Sequence, residues 1–118
     1  MDKILSLLDQ AITNFFNLRQ INLENQIEFN QPPAGFGDYS TNVIMANWKL
    51  IKQSGQIEEN SPLELAQSLT EFLQEQPEIS KLSKKIITEK PAFINFYINP
   101  QLKRSIALEL NGDLSVTL

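Results

Sequence analysis

Apolar residues recur at helical spacing over residues 2–18, where Ile4, Leu7, Leu8, Ala11, Ile12, Phe15 and Leu18 are separated by polar positions. That period predicts an amphipathic helix with one face turned to a core. Residues 26–29 (Gln-Ile-Glu-Phe) alternate instead, which predicts a short strand. The stretch Asn30–Gly37 holds two prolines and two glycines and breaks regular structure. A second helix is expected from near Asp38 to about Lys52, with Val43, Ile44, Ala46, Trp48 and Ile51 as core candidates, and Gly55 ends it. Ser61-Pro62-Leu63-Glu64 is a helix start in which Ser61 is the N-cap, Pro62 occupies the first turn and Glu64 closes a capping box. Leu65, Ala66, Leu69, Phe72 and Leu73 then form an apolar stripe that stops before Pro77.

After a turn-like stretch, Lys85–Glu89 and Phe93–Ile98 read as two strands. Lys90-Pro91-Ala92 between them is short enough for a hairpin. Asn99-Pro100 opens a final helix to about Leu110, and Asn111-Gly112 stops it. Leu114–Leu118 is either an extra strand or a loose end. The predicted order α-β-α-α-β-β-α describes an α+β domain: a small antiparallel sheet of three to four strands with helices over one face. One domain is expected over residues 1–112, with a tail at 113–118.

Composition narrows the function. With 118 residues the chain can bury about two-thirds of its unfolded surface in one core. No apolar run approaches the roughly 20 residues that span a bilayer, and Asp2 and Asp9 interrupt any signal-peptide pattern. A cytoplasmic protein is therefore expected. The chain has no His and no Cys. That removes the commonest acid–base group, thiol nucleophiles, disulfides and most zinc sites. No carboxylate or lysine stands out as a catalytic replacement, so neither a catalytic site nor a metal site is expected.

The net charge is −4, but it is unevenly spread. Residues 1–80 hold 4 basic and 11 acidic side chains, while residues 81–118 hold 6 basic and 3 acidic. The asymmetry is either a positive surface near the C-terminal third or scatter over solvated faces.

The last predicted strand carries the most specific chemistry. Alternate strand residues point to opposite faces, so Ile94, Phe96 and Ile98 share one and Phe93, Asn95 and Tyr97 the other. If helices cover only the first, the second presents an aromatic, an amide and an aromatic in a row, with Lys85 and Lys90 close by. A ring to stack on a base, an amide for its edge and a lysine for phosphate are what an unpaired RNA base requires. The alternative is that Phe93 and Tyr97 pack beneath a loop or another strand.

Three segments carry a family resemblance. Gly37-Asp38-Tyr39-Ser40-Thr41-Asn42 resembles a Gly-Asp-Tyr-(Ala/Ser)-(Thr/Ser)-Asn motif of arginyl-tRNA synthetase N-terminal domains. Ser61-Pro62-Leu63-Glu64-Leu65-Ala66 resembles that family's (Asn/Ser)-Pro-X-(Glu/Gln)-Leu-Ala helix start, and Ala92–Ile98 is similar to its Gly-(Phe/Tyr)-Ile-Asn-Phe strand. The motifs occur in order over residues 1 to about 110.

The resemblance implies a domain that packs on the outer corner of tRNA and touches its D-loop. By position it assigns Phe93 and Asn95 to an exposed base, with Lys90 on the turn that approaches the RNA. Phe93 keeps the stacking surface of the family's frequent Tyr but lacks the hydroxyl, and Ala92 stands where Gly or Pro is usual. The Gly-Asp-Tyr segment is read as structural: Gly37 frees the backbone, Asp38 caps the second helix and Tyr39 wedges the loop against it. Asn42 is open between RNA and the sheet.

Lys81-Leu82-Ser83-Lys84-Lys85 is similar to a class I synthetase ATP loop, but without a partner His motif it reads as a solvated turn. ATP, magnesium and arginine are then expected only in a catalytic domain, in cis or in trans, and the partner of this chain, as a monomer, is tRNA(Arg). Past Leu110 the sequence leaves the family pattern. Either the chain is one piece of a synthetase or it is a stand-alone relative. In the second case the acidic residues 1–80 and the apolar loop Pro32–Phe36 offer a protein-docking or dimer surface instead.

Overall fold

In the computed structural model, which describes residues 3–24 and 26–100, the first apolar period forms helix α1, Lys3–Leu18. Ile4, Leu8, Ala11, Ile12, Phe15 and Phe16 are its buried face. Phe16 replaces Leu18 there. The chain turns back at the helix end, with Ile21 N–H donating to the Phe16 carbonyl at 2.9 Å, and Leu18 is left 74% exposed.

Residues 26–29 alternate in burial, Ile27 and Phe29 inward and Gln26 and Glu28 outward, but they form no strand. The nearest ladder-like contact follows them, at the bridge between Asn30 and Ser40. The first strand comes later, as β1 at Tyr39–Thr41, inside the segment expected to start the second helix. Residues Tyr39–Thr41 pair antiparallel with a strand more than 50 positions away, and that non-local pairing overrides the local helical pattern.

The expected helix 38–52 becomes two short ones, α2 at Val43–Ala46 and α3 at Trp48–Ser54. Asn47 divides them, its Nδ2 donating to the Val43 carbonyl at 2.9 Å. Val43, Ile44 and Ile51 are buried as expected, Trp48 is half-buried, and Ala46 is exposed beside the break. Gly55 ends α3 in the left-handed conformation at φ +71°.

Helix α4, Pro62–Glu75, starts as its sequence predicts. Ser61 Oγ accepts from Glu64 N–H at 3.2 Å, and Glu64 Oε1 accepts from Asn60 N–H at 2.9 Å. The turn-like stretch after it contains a further helix, α5 at Pro77–Leu82, which buries Ile79 and Leu82 one turn apart. Strands β2, Ser83–Glu89, and β3, Phe93–Ile98, follow as a hairpin. Asn99 and Pro100 apart, the expected final helix and the tail 113–118 lie outside the described residues.

The sheet is antiparallel in the order β1-β3-β2. The fold is α+β, with β3 in the centre. Ile86, Ile94, Phe96 and Ile98 face a core shared with α1 and α4. Phe15 meets Phe72 edge-on at 5.3 Å between ring centres. Thr70 and Thr88 join α4 to β2 through a 2.8 Å hydroxyl contact. At the rim, Arg19 and Glu59 clamp the end of α1 to the approach of α4, with two hydrogen bonds of 2.8 and 3.0 Å. Among the described residues no helix is long and apolar enough to cross a membrane.

Candidate nucleic-acid interface

The pairing register decides what lies beside each residue of β3. Ser40 of β1 and Ile87 of β2 flank Asn95, Glu89 lies opposite Phe93, and Lys85 opposite Tyr97. Since Ile94, Phe96 and Ile98 fill the core, these neighbours occupy the sheet's other face. The loop Asn30–Gly37 folds back over that face. Its base is closed by two 2.8 Å hydrogen bonds between the main chains of Asn30 and Ser40. Further along, Tyr97 Oη donates to the Gly35 carbonyl at 3.1 Å.

Loop and hairpin enclose a groove of about 380 Å³. Asn30, Pro32, Pro33 and Phe36 line it from the loop, and Glu89, Lys90 and Phe93 from the hairpin. Its floor is Asn95 with Ser40, 5% and 7% exposed. The Asn95 amide has no hydrogen-bond partner among the described residues. It differs in kind from Asn47 Oδ1 and Ser83 Oγ, which are sealed from solvent without a partner. An amide left unmatched inside protein is costly unless something else satisfies it. Opening on a groove, Asn95 can offer both a donor and an acceptor to a guest.

The five side chains expected to meet RNA thus fall into two groups. Lys90, Phe93 and Asn95 meet in the groove. Lys85 and Tyr97 pair at the far end of the strand, with the Lys85 ammonium 4.5 Å from the centre of the Tyr97 ring. That ring has one face covered by a cation and its hydroxyl committed to the loop.

The Gly-Asp-Tyr segment has a structural place, but a different one from that expected. Asp38 does not cap the second helix, whose N-cap position is Asn42. Its N–H donates to the Phe96 carbonyl and its Oδ2 accepts from Ile98 N–H, both at 2.8 Å, so it stitches the loop end to β3. Thr41 serves the start of α2, its Oγ1 accepting from Val43 N–H at 3.3 Å and donating to the Glu28 carbonyl at 2.8 Å. Tyr39 is half-buried in β1 opposite Phe96 rather than wedged on a helix. Asn42 precedes α2 without a side-chain cap bond. Gly37 has φ +108°, and a Cβ there would sit 3.0 Å from the Phe96 carbonyl oxygen. Only glycine fits this close approach.

The comparison with known proteins fixes the lineage. The family model for the arginyl tRNA synthetase N terminal domain matches residues 2–98. The chain belongs to that family. Among curated proteins it is similar to an arginine–tRNA ligase of Thermotoga maritima, 33% identical over 85 residues. Those residues are 70% of this chain and 14% of the relative, so the chain spans only a small part of the protein it matches. The match reaches to the end of β3 and so contains the whole groove.

Asn30, Ser40 and Phe36 were not among the residues singled out for RNA. The sequence masks Ser40 because the segment around it has a helical pattern, and marks Phe36 only as part of an apolar, proline-rich loop. Among the described residues no group of three or more acidic side chains is placed to hold a metal ion.

Proposed function

We propose that this domain binds tRNA(Arg), taking an exposed D-loop base into the groove between Phe93 and the loop Asn30–Gly37. In this reading it supports arginine attachment performed by a catalytic domain, in cis or in trans. ATP, magnesium and arginine are handled there, and this chain carries neither cofactor nor catalytic group. The observation that carries the proposal is the Asn95 amide, nearly buried, without a protein partner among the described residues and opening on a groove beside an aromatic ring and a lysine. Family membership supplies the class of ligand.

The chemistry follows from the groove. A base stacked on Phe93 gains roughly 1–3 kcal/mol, and the amide pairs with its polar edge. Lys90, exposed at the rim, meets phosphate. The test is titration of the 118-residue chain with an unmodified tRNA(Arg) transcript at low salt, followed by NMR. Phe93→Ala is expected to weaken binding about 5- to 150-fold, the equivalent of one stack. Asn95→Ala is expected to cost about 2- to 10-fold, one net hydrogen bond. Shifts scattered away from Lys90–Tyr97, or affinity indifferent to both substitutions, would sink the reading.

A second reading draws on Phe36, 51% exposed on an apolar loop. Here the domain docks a protein or a second copy of itself, and RNA binding has been lost. A strict monomer that binds tRNA and no protein would exclude it.

A further inference from the structure

We infer that the loop Asn30–Gly37 is the second wall of the base site, and that Tyr97 is the positioning residue that holds this wall in place. The inference rests on the tRNA reading above and adds two functional residues to it, Phe36 and Tyr97.

The first observation is the composition of the loop against its surroundings. Of the loop residues that line the groove, Asn30 at its base is polar, but Pro32, Pro33 and Phe36 above it are apolar, while the floor is an amide and a hydroxyl. Phe93 stands on the opposite side. A nucleobase has the complementary pattern, with apolar faces and a polar edge. A guest stacked on Phe93 with its edge to Asn95 turns its other face towards the loop. Phe36 is one of only three large apolar side chains that stand exposed among the described residues, and it stands at this wall.

The second observation is how the loop is held. It contains no helix or strand of its own. Its base is fixed by the Asn30–Ser40 pair and its end by Asp38 on Phe96 and Ile98. Between those anchors the tether to the sheet is the Tyr97 hydroxyl on the Gly35 carbonyl, joining positions 62 residues apart. Gly35 itself has φ +91°, and a Cβ built there would meet no atom within 4 Å among the described residues. Lys85 covers one face of the Tyr97 ring. That leaves Phe93 as the stacking platform of the strand and Tyr97 as the latch of the wall.

The experiment uses the 118-residue chain and unmodified tRNA(Arg) transcript at low salt. Phe36→Ala is expected to weaken binding about 5- to 30-fold, a partial stack, with Phe36→Leu between it and wild type. Tyr97→Phe removes only the hydroxyl and is expected to weaken binding about 2- to 10-fold. In the free protein it should also speed amide exchange at Ala34–Gly37 while the urea midpoint stays put, a combination that a general packing role does not produce. The inference is overturned if Phe93→Ala weakens binding but Phe36→Ala does not, or if Tyr97→Phe leaves loop exchange unchanged. Wild-type affinity in Phe93→Ala overturns the underlying reading instead. No tRNA binding by the wild type overturns both, and self-association abolished by Phe36→Ala would then place a protein in the groove.

Discussion

Glu59 offers the most quantitative test of the fold. Its carboxylate accepts two hydrogen bonds from the Arg19 guanidinium, and both side chains are mostly shielded, 26% exposed for Arg19 and 14% for Glu59. Arg19 is itself held over the Phe15 ring, 4.5 Å from its centre. These bonds, helped by the Ser68 hydroxyl and opposed by burial, lower the Glu59 pKa from 4.5 to about 2. At about 1.4 kcal/mol per tenfold change in proton affinity, the full difference is worth roughly 3 kcal/mol. Partial access to water reduces that, and about 1–2 kcal/mol is the expected contribution.

The sign follows from the direction of the shift. The folded state holds the ionised carboxylate more tightly than the unfolded chain does, so the contribution is fully present above 4.5 and is lost as pH falls towards 2. Glu59→Gln keeps the shape and removes the charge. Urea unfolding of both proteins should show wild type more stable by about 1–2 kcal/mol at pH 7, with the two curves converging between pH 5 and 2. Other carboxylates act in both proteins and cancel in the difference. Parallel stability curves across that range, or equal stability at pH 7, would refute the reasoning. Arg19→Met should reproduce the loss and abolish the further effect of Glu59→Gln.

Other substitutions probe the local devices. Gly37→Ala should destabilise by about 1–3 kcal/mol, because it forces a positive φ and a 3.0 Å contact with the Phe96 carbonyl, measurable by urea denaturation. Ser61→Ala should cost about 1 kcal/mol through the lost cap of α4, read from the same curves. Affinity for tRNA should be micromolar or poorer and fall with salt, with a shallow log–log slope set by three or four phosphate contacts, as tested by titration at several ionic strengths. A steep slope would require a phosphate-binding surface far larger than the lysines around this groove.

What was legible in the sequence depended on how far its partners lay. Ser61, Pro62 and Glu64 act on each other within one turn, and α4 begins where they place it. The face of β3 was legible too, because alternation is intrinsic to a strand. Asp38 was misread because its partner is Ile98 N–H, 60 residues on, and Asp before an apolar stretch ordinarily caps a helix. The same distance hid β1, three residues long and recognisable only by its pairing with β3. Helix α5 escaped notice because six residues with Ile79 and Leu82 as its buried pair carry too short a period. In the candidate site, Phe93 and Asn95 were visible from their strand. The wall opposite them was not, since a loop of prolines and glycines has no periodicity from which to infer what it covers.

The stitching of Asp38 and Gly37 onto β3 bears on any attempt to move the groove. The β2–β3 hairpin carries Phe93 and Asn95 within sixteen consecutive residues, Ser83–Ile98, and looks like a portable unit. Transplanted alone, it would bring one platform and an unsupported amide. Ser40 and the loop come from the other end of the chain, and without Gly35 the Tyr97 latch has nothing to hold. A minimal graft therefore needs two discontinuous pieces and a scaffold that fixes their register, so the smallest transferable unit is the sheet with its overlying loop.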